Sequence, residues 1–199
     1  MAAATREETK GRINEAKTPC IFTGITPAWN NMNLHRISEN VSSHLIFGHV
    51  RAASPGYPTN EANCHPFLYK NFMFMHNGCV GGFSRIRRKV LARLNDKLFL
   101  ALVGNTDSEH CFLLYMQILF EKYGEEREDF TVTELRTAMN IMINTICGWI
   151  KEDGVKDASL LNFAITDGMS VVVSRSSNSS QKEGCSMYYA SGASFDRIK

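Results

Sequence analysis

Two capping signatures, Thr106-Asp107-Ser108-Glu109 and Thr131 with Glu134, open long apolar runs in the middle of the chain, and strand patterns lie on both sides of them. In such a box a threonine hydroxyl and a carboxylate three residues later satisfy backbone donors that a helix start leaves unpaired. The first box precedes "CFLLYMQILF". The second precedes Leu135, Met139, Met142, Ile146 and Trp149, spaced at helical period. A further helix is read after Ser84 as its cap, with Ile86, Val90, Leu91 and Leu94 on one face. Strands, then helices, then strands predict an α+β fold in which helices cover antiparallel sheets.

The flanking segments carry the strand signals. Residues 1–18 are polar, lack an apolar stripe and are read as a tail outside the core, with one domain over 19–199. "CIFTGIT" reads as a short strand, "NNMNLHRISENV" as a loop entering a short helix, and "HLIFGHVR" (44–51) as a buried strand by its near-continuous apolar run. The loop "AASPGYPTNEA" is dense in turn residues. "FLYKNFMFMHNG" reads as a hairpin turning near Lys70-Asn71, its apolar run breaking at His76-Asn77-Gly78. "SLLNFAITDGMSVVVSR" reads as a hairpin turning at Asp167-Gly168. "CSMYYASGASF" reads as a last strand.

Composition excludes several classes of function. A net charge of +2 is too small to argue for nucleic acid. No apolar stretch reaches membrane-spanning length and no signal-peptide core lies near the start, so no membrane association is expected. The six cysteines are scattered, without a CxxC pair. They read as reduced thiols, several of them buried, which points to a cytoplasmic location.

Several residues are candidates for chemistry. Arg51 ends a strand at a polar loop, from where its fork can clamp a carboxylate; an ordinary surface ion pair is the plainer reading. Asp107 opens a helix, either as a favourable charge against the dipole or as an acceptor for a substrate ammonium. His76-Asn77-Gly78 offers an amide and a glycine N–H for a developing oxyanion, or a plain turn. His65 either orients a neighbour or packs in its loop. Cys64-His65 and His76-x-x-Cys79 invite a metal, but the zinc spacing is incomplete. No metal or other cofactor is expected. "RIRRK" (85–89) suits a solvated helix face better than a phosphate site.

Taken in order, "FGHVRAAS", "NEANCHPF", "FMHNG" and "GNTDSEH" resemble the class II glutamine amidotransferases, a branch of the N-terminal-nucleophile hydrolases. Within that family the likeness is greatest to the fungal amidotransferase subunits of glutathione-degrading complexes, and it extends over "ITPAWNNMNL" and "LLNFAITDGMSVVVSR". The resemblance implies a four-layer αββα sandwich of antiparallel sheets. It implies Arg51 for the substrate α-carboxylate and Asp107 for its α-ammonium. It implies Asn77 and Gly78 for the oxyanion, with His76 supporting their turn. Glutamine or glutathione is the implied substrate, since both carry a γ-glutamyl head, and a peptidase subunit is the implied partner. In the family an N-terminal cysteine thiolate attacks the γ-carbonyl with its own α-amine as base, whose ordinary pKa lies near 8.

The chain begins Met1-Ala2-Ala3, and the expectation is that the nucleophile strand and the last strands of the fold are absent from it. Cys20, inside an apolar strand, reads as a buried structural thiol. Two functions stand side by side: an amidotransferase domain acting through a cysteine not present here, and a non-catalytic γ-glutamyl-binding or regulatory subunit docked on a peptidase. A zinc module is a third, weaker reading.

Overall fold

The computed structural model describes residues 2–4, 18–52 and 59–192, and its strands form two antiparallel sheets. Strands β1 (Ala2–Ala4), β2 (Cys20–Ile21) and β3 (Leu45–Phe47) make the smaller sheet, in the order β2-β1-β3. Strands β4 (Phe67–Tyr69), β5 (Phe72–Cys79), β6 (Leu160–Thr166) and β7 (Val171–Val173) make the larger one, in chain order. Helices α1 (Met32–Asn40), α2 (Phe83–Arg93), α3 (Asp96–Leu100), α4 (Asp107–Tyr123) and α5 (Val132–Glu152), with short 3₁₀ turns at Ala28–Asn30 and Glu61–Asn63, complete the described elements. The antiparallel α+β arrangement is the one that the strand–helix–strand order predicts.

Strand β5 organises the interior because both its faces are covered. Side chains alternate along a strand. Phe72, Phe74 and His76 point toward the helices, where Phe74 stacks on Phe112 of α4 with ring centroids 5.2 Å apart. Met73 and Met75 point the other way, into a smaller cluster with Ile21, Leu45, Phe47 and Ala164 that joins the two sheets. Two-sided burial is why "FMFM" reads as a continuous apolar run. The strand does not break at His76: it stays paired with β6 through Cys79↔Leu160, so Asn77 and Gly78 lie within it. The turn falls where expected, with Lys70 in the left-handed region (φ 53°).

Helix α4 is buried without interruption from Ser108 to Phe120, held between the large sheet, α2 and α5. Its polar members are paired. Tyr115 donates to Leu135 O at 3.2 Å, and Gln117 Oε1 accepts from Asn95 N at 2.8 Å. His110 Nδ1 donates to Thr106 O at 2.7 Å, leaving Nε2 to accept from Arg87 Nε at 3.2 Å. The α5 box is complete, with Thr131 and Glu134 capping each other's backbone N–H.

Other expectations are corrected. Within residues 1–18, Ala2–Ala4 form the central strand of the small sheet, while 5–17 lie outside the described residues. The strand in 44–51 is only three residues long, and only Phe47 in it is buried. The cap of α2 is Gly82 (φ 60°); Ser84 lies inside the helix. Helix α3, capped by Asn95, is not among the helices that the sequence pattern predicts. Residues 185–192 form no strand, and 193–199 lie outside the described residues. Cys20 is exposed, and Cys111 alone of the six cysteines is buried.

Candidate active site

A cavity of about 1140 Å³ opens where β5 emerges between the sheets. Arg51, His76, Asn77, Gly78 and Asp107 all line it, together with Ser108. The residues singled out in the sequence thus come together although they lie on three separate segments.

Asn77 shares the Met73–Met75 side of β5, so the alternation of the strand turns its carboxamide toward the cavity. It is exposed, and its side chain makes no hydrogen bond among the described residues. Gly78 has φ +151°, and a Cβ there would stand 1.9 Å from Leu160 O. No other residue fits that position without moving β6. His76 anchors the pair from the opposite face: Nε2 donates to Leu160 O at 2.9 Å, and Nδ1 lies 3.0 Å from Ser108 Oγ. Burial lowers the His76 pKa, with nearby Asp107 opposing. The ring is therefore neutral at pH 7, protonated on Nε2.

Asp107 is the first residue of α4 and is held by backbone donors. Oδ2 accepts from Val80 N at 2.8 Å, just past the end of β5, and Oδ1 accepts from Ser108 N at 2.8 Å. Thr106 caps the helix by accepting from Glu109 N. The other half of that box is redirected: the Glu109 carboxylate accepts from Val103 N at 2.9 Å and Gly104 N at 2.8 Å, strapping down the loop that delivers Asp107. Asn63 Oδ1 accepts from Asn105 N at 3.1 Å and ties the same loop to the segment before His65.

Arg51 is half-buried and makes no hydrogen bond or ion pair among the described residues, so its guanidinium is available to an anion. Two residues upstream, His49 Nε2 donates to His76 O at 3.1 Å, tying the arginine segment to β5. His49 stacks on His65 with centroids 4.1 Å apart, and both rings line the cavity. Neither nitrogen of His65 finds a partner among the described residues, and burial, the largest cause, lowers its pKa to about 2. Sequence reasoning named His65 without a contact and missed His49 and Ser108 as site residues. Among the described residues no group of three or more His, Cys, Asp or Glu side chains is placed to hold a metal. Among the described residues no helix is long and apolar enough to cross a membrane.

An exposed carboxamide beside a glycine, a carboxylate fixed by backbone donors and a half-buried guanidinium thus line one cavity. The profile of the class-II glutamine amidotransferases matches residues 25–185, and the chain belongs to that family. It is 44% identical over 185 residues to the probable glutamine amidotransferase DUG3 of Saccharomyces cerevisiae, covering 89% of this chain and 51% of that protein. It is 29% identical over 119 residues to the isomerizing glutamine–fructose-6-phosphate aminotransferase of Chlamydia caviae, covering 58% of this chain and 17% of that protein. Among solved structures, a glutamine aminotransferase class-II domain protein from Silicibacter pomeroyi superposes with a TM-score of 0.63 and 28% identity, covering 83% of this chain and 64% of that one. The chain thus spans about half the length of DUG3.

Proposed function

We propose that the cavity binds the γ-glutamyl head of glutamine or glutathione, as the amidotransferase domain of a protein that releases glutamate from one or both. The observation that carries this reading is the position of Asp107. Its carboxylate is bonded to Val80 N, just past the strand that presents Asn77 and Gly78 to the same cavity. An ammonium at Asp107 then leaves a γ-carbonyl within the span of one glutamyl side chain, toward the two oxyanion donors. Arg51 takes the α-carboxylate through paired N–H bonds, and His76 holds the strand that carries the donors. Similarity to a probable glutamine amidotransferase favours glutamine; the resemblance to amidotransferase subunits of glutathione-degrading complexes adds glutathione, with a peptidase as the partner that takes the released dipeptide. The two sheets are the inner layers of an αββα sandwich, and the free cysteines suit a cytoplasmic location.

In the reaction of the family a cysteine thiolate adds to the γ-carbonyl carbon, the oxyanion settles on the Asn77 and Gly78 donors, and the leaving nitrogen departs with a proton. Water then cleaves the thioester. A second reading is a γ-glutamyl-binding subunit without turnover.

Calorimetry with glutamine and glutathione, run beside an assay for released glutamate, tests both. Binding with turnover supports the first reading, and binding without turnover the second. Failure to bind either compound overturns both.

A further inference from the structure

Ser108 stands between the two halves of this site. Its side chain is buried, with the residue only 6% exposed. Its hydroxyl lies 3.0 Å from His76 Nδ1 and 3.3 Å from Asp107 Oδ1. A hydroxyl has one proton and cannot donate to both. The far side of the imidazole decides which. Leu160 O can only accept, so Nε2 carries the ring proton and Nδ1 of the neutral ring presents a lone pair. The Ser108 proton therefore goes to Nδ1. Asp107 Oδ1 is left with the Ser108 backbone N–H alone, and a carboxylate oxygen has room for more than one donor.

We propose that Ser108 is a positioning residue: its single hydroxyl proton, committed to His76 Nδ1, fastens the oxyanion strand to α4 while leaving Asp107 Oδ1 open to a substrate ammonium. The role rests on the γ-glutamyl reading above and adds to it the device that sets the spacing between the ammonium acceptor and the oxyanion donors. The two contact points lie 32 residues apart in sequence, and the bond is shielded from solvent. A ligand that must reach both ends at once senses that spacing; a ligand that uses one end does not.

Acid reverses the arrangement. A proton added to His76 at Nδ1 makes the ring a donor to Ser108 Oγ, and the hydroxyl turns its own proton to Asp107 Oδ1. The titratable and charged groups facing the ring are Asp107 from α4 and His49 and His65 from the segments before Arg51 and Pro66, with Arg51 beyond those two histidines. Across the sheet, β6 contributes the uncharged ring of Phe163, 4.5 Å away. Loss of ammonium binding in acid is then a property of the relay and depends on the serine hydroxyl.

The test uses the full chain, two ligands and two variants. Glutamine has both the ammonium and the γ-amide; 4-carbamoylbutanoate has the same amide and carboxylate but no ammonium. Ser108→Ala is expected to weaken glutamine about tenfold, the scale of one buried hydrogen bond. It should leave 4-carbamoylbutanoate within about twofold. Ser108→Thr, which keeps the hydroxyl, is expected to restore glutamine. In ¹⁵N spectra His76 should be the Nε2–H tautomer, with the Nδ1 signal moving toward that of an unbonded ring nitrogen in Ser108→Ala. A parent protein whose His76 carries its proton on Nδ1 overturns the proposal without any variant. Equal binding of glutamine by parent and Ser108→Ala overturns the role of Ser108 while the γ-glutamyl reading stands. A parent that binds neither glutamine nor glutathione overturns both.

Discussion

Asp107 Oδ2 accepts the backbone N–H of Val80 at 2.8 Å, so the start of α4 is bonded to the chain leaving β5. That contact gives the carboxylate a fixed bearing on Asn77 and Gly78, and it makes Asp107 the first target for mutation. Asp107→Asn keeps an oxygen for Val80 N–H but removes the charge that an ammonium needs. Truncating one partner of a buried charge pair costs about 2–5 kcal/mol, so glutamine should bind at least about 30-fold more weakly. Calorimetry checks this; an affinity within threefold of the parent removes Asp107 from the site.

Arg51 should behave in parallel. Arg51→Lys keeps the charge and loses the planar fork, and a point charge does not replace two parallel bonds to a carboxylate. Glutamine and glutathione should weaken by the same factor, because both present the same α-carboxylate. A variant that loses only one of them would mean that Arg51 reads the leaving group instead.

Gly78 and Asn77 should separate stability from function. A methyl at position 78 meets Leu160 O at 1.9 Å and also has to adopt φ +151°. Backbone strain of this kind costs about 1–3 kcal/mol, and forcing β6 away adds to it. Gly78→Ala should lower the melting temperature by at least about 5 °C, given roughly 2–4 °C per kcal/mol for a domain of this size. The Asn77 side chain is exposed and makes no hydrogen bond among the described residues, so Asn77→Ala should melt within about 1 °C of the parent. In a form of the protein that turns over, it should lower kcat by about 100-fold or more. Equal melting curves for Gly78→Ala and the parent would count against the close approach to β6.

Much of the frame of this site is legible in the sequence because it is local. The Lys70-Asn71 turn, the apolar alternation of β5 and the Thr131–Glu134 box each need only neighbouring residues to be recognised. The Ala2–Ala4 strand has no such signal: three alanines carry little strand propensity, and pairing with β2 and β3 alone makes them a strand. Ser84 looks like a cap, yet Gly82 takes the position because a left-handed turn is needed where a side chain would strike Val155. The same holds at the site. Arg51, Asp107, Asn77 and Gly78 are found through motifs, but Val80 N to Asp107, Ser108 to His76 and His49 to His76 O join residues 27 or more positions apart. Nothing in either segment alone announces those bonds.

The stacked pair His49 and His65 makes stability depend on pH. His65 titrates near 6.5 when unfolded and is lowered to about 2 in the fold, chiefly by burial. Its contribution is complete above pH 6.5. Below that, the unfolded chain takes up a proton that the folded ring refuses until pH about 2. From pH 6.5 to 5 this residue alone removes up to about 2 kcal/mol. His49, His76 and His110 are also lowered by burial and act in the same direction. Denaturant midpoints should therefore fall between pH 7 and 5. His65→Phe, which keeps the ring stack, should flatten that slope; an unchanged slope would sink the assignment.

Glu109 offers the most direct view of how the site is held. Both its oxygens serve backbone donors, Val103 N and Gly104 N, and the residue is buried. Burial raises its pKa and the two backbone bonds pull the other way. Glu109→Gln puts an amide nitrogen where one of the acceptors was, leaving an N–H facing an N–H in a buried loop. An unsatisfied buried donor costs about 1–3 kcal/mol. The loop from 102 to 106 ends at Asp107, so the loss should appear in two places. Amide exchange at Val103 and Gly104 should quicken by about tenfold or more, while amides in the middle of α4 change only with global stability. Glutamine should bind several-fold more weakly, and 4-carbamoylbutanoate, which does not use Asp107, much less so. Faster exchange with unaltered glutamine binding would make Glu109 a loop anchor with no bearing on the site. Unaltered exchange at both amides would remove even that role.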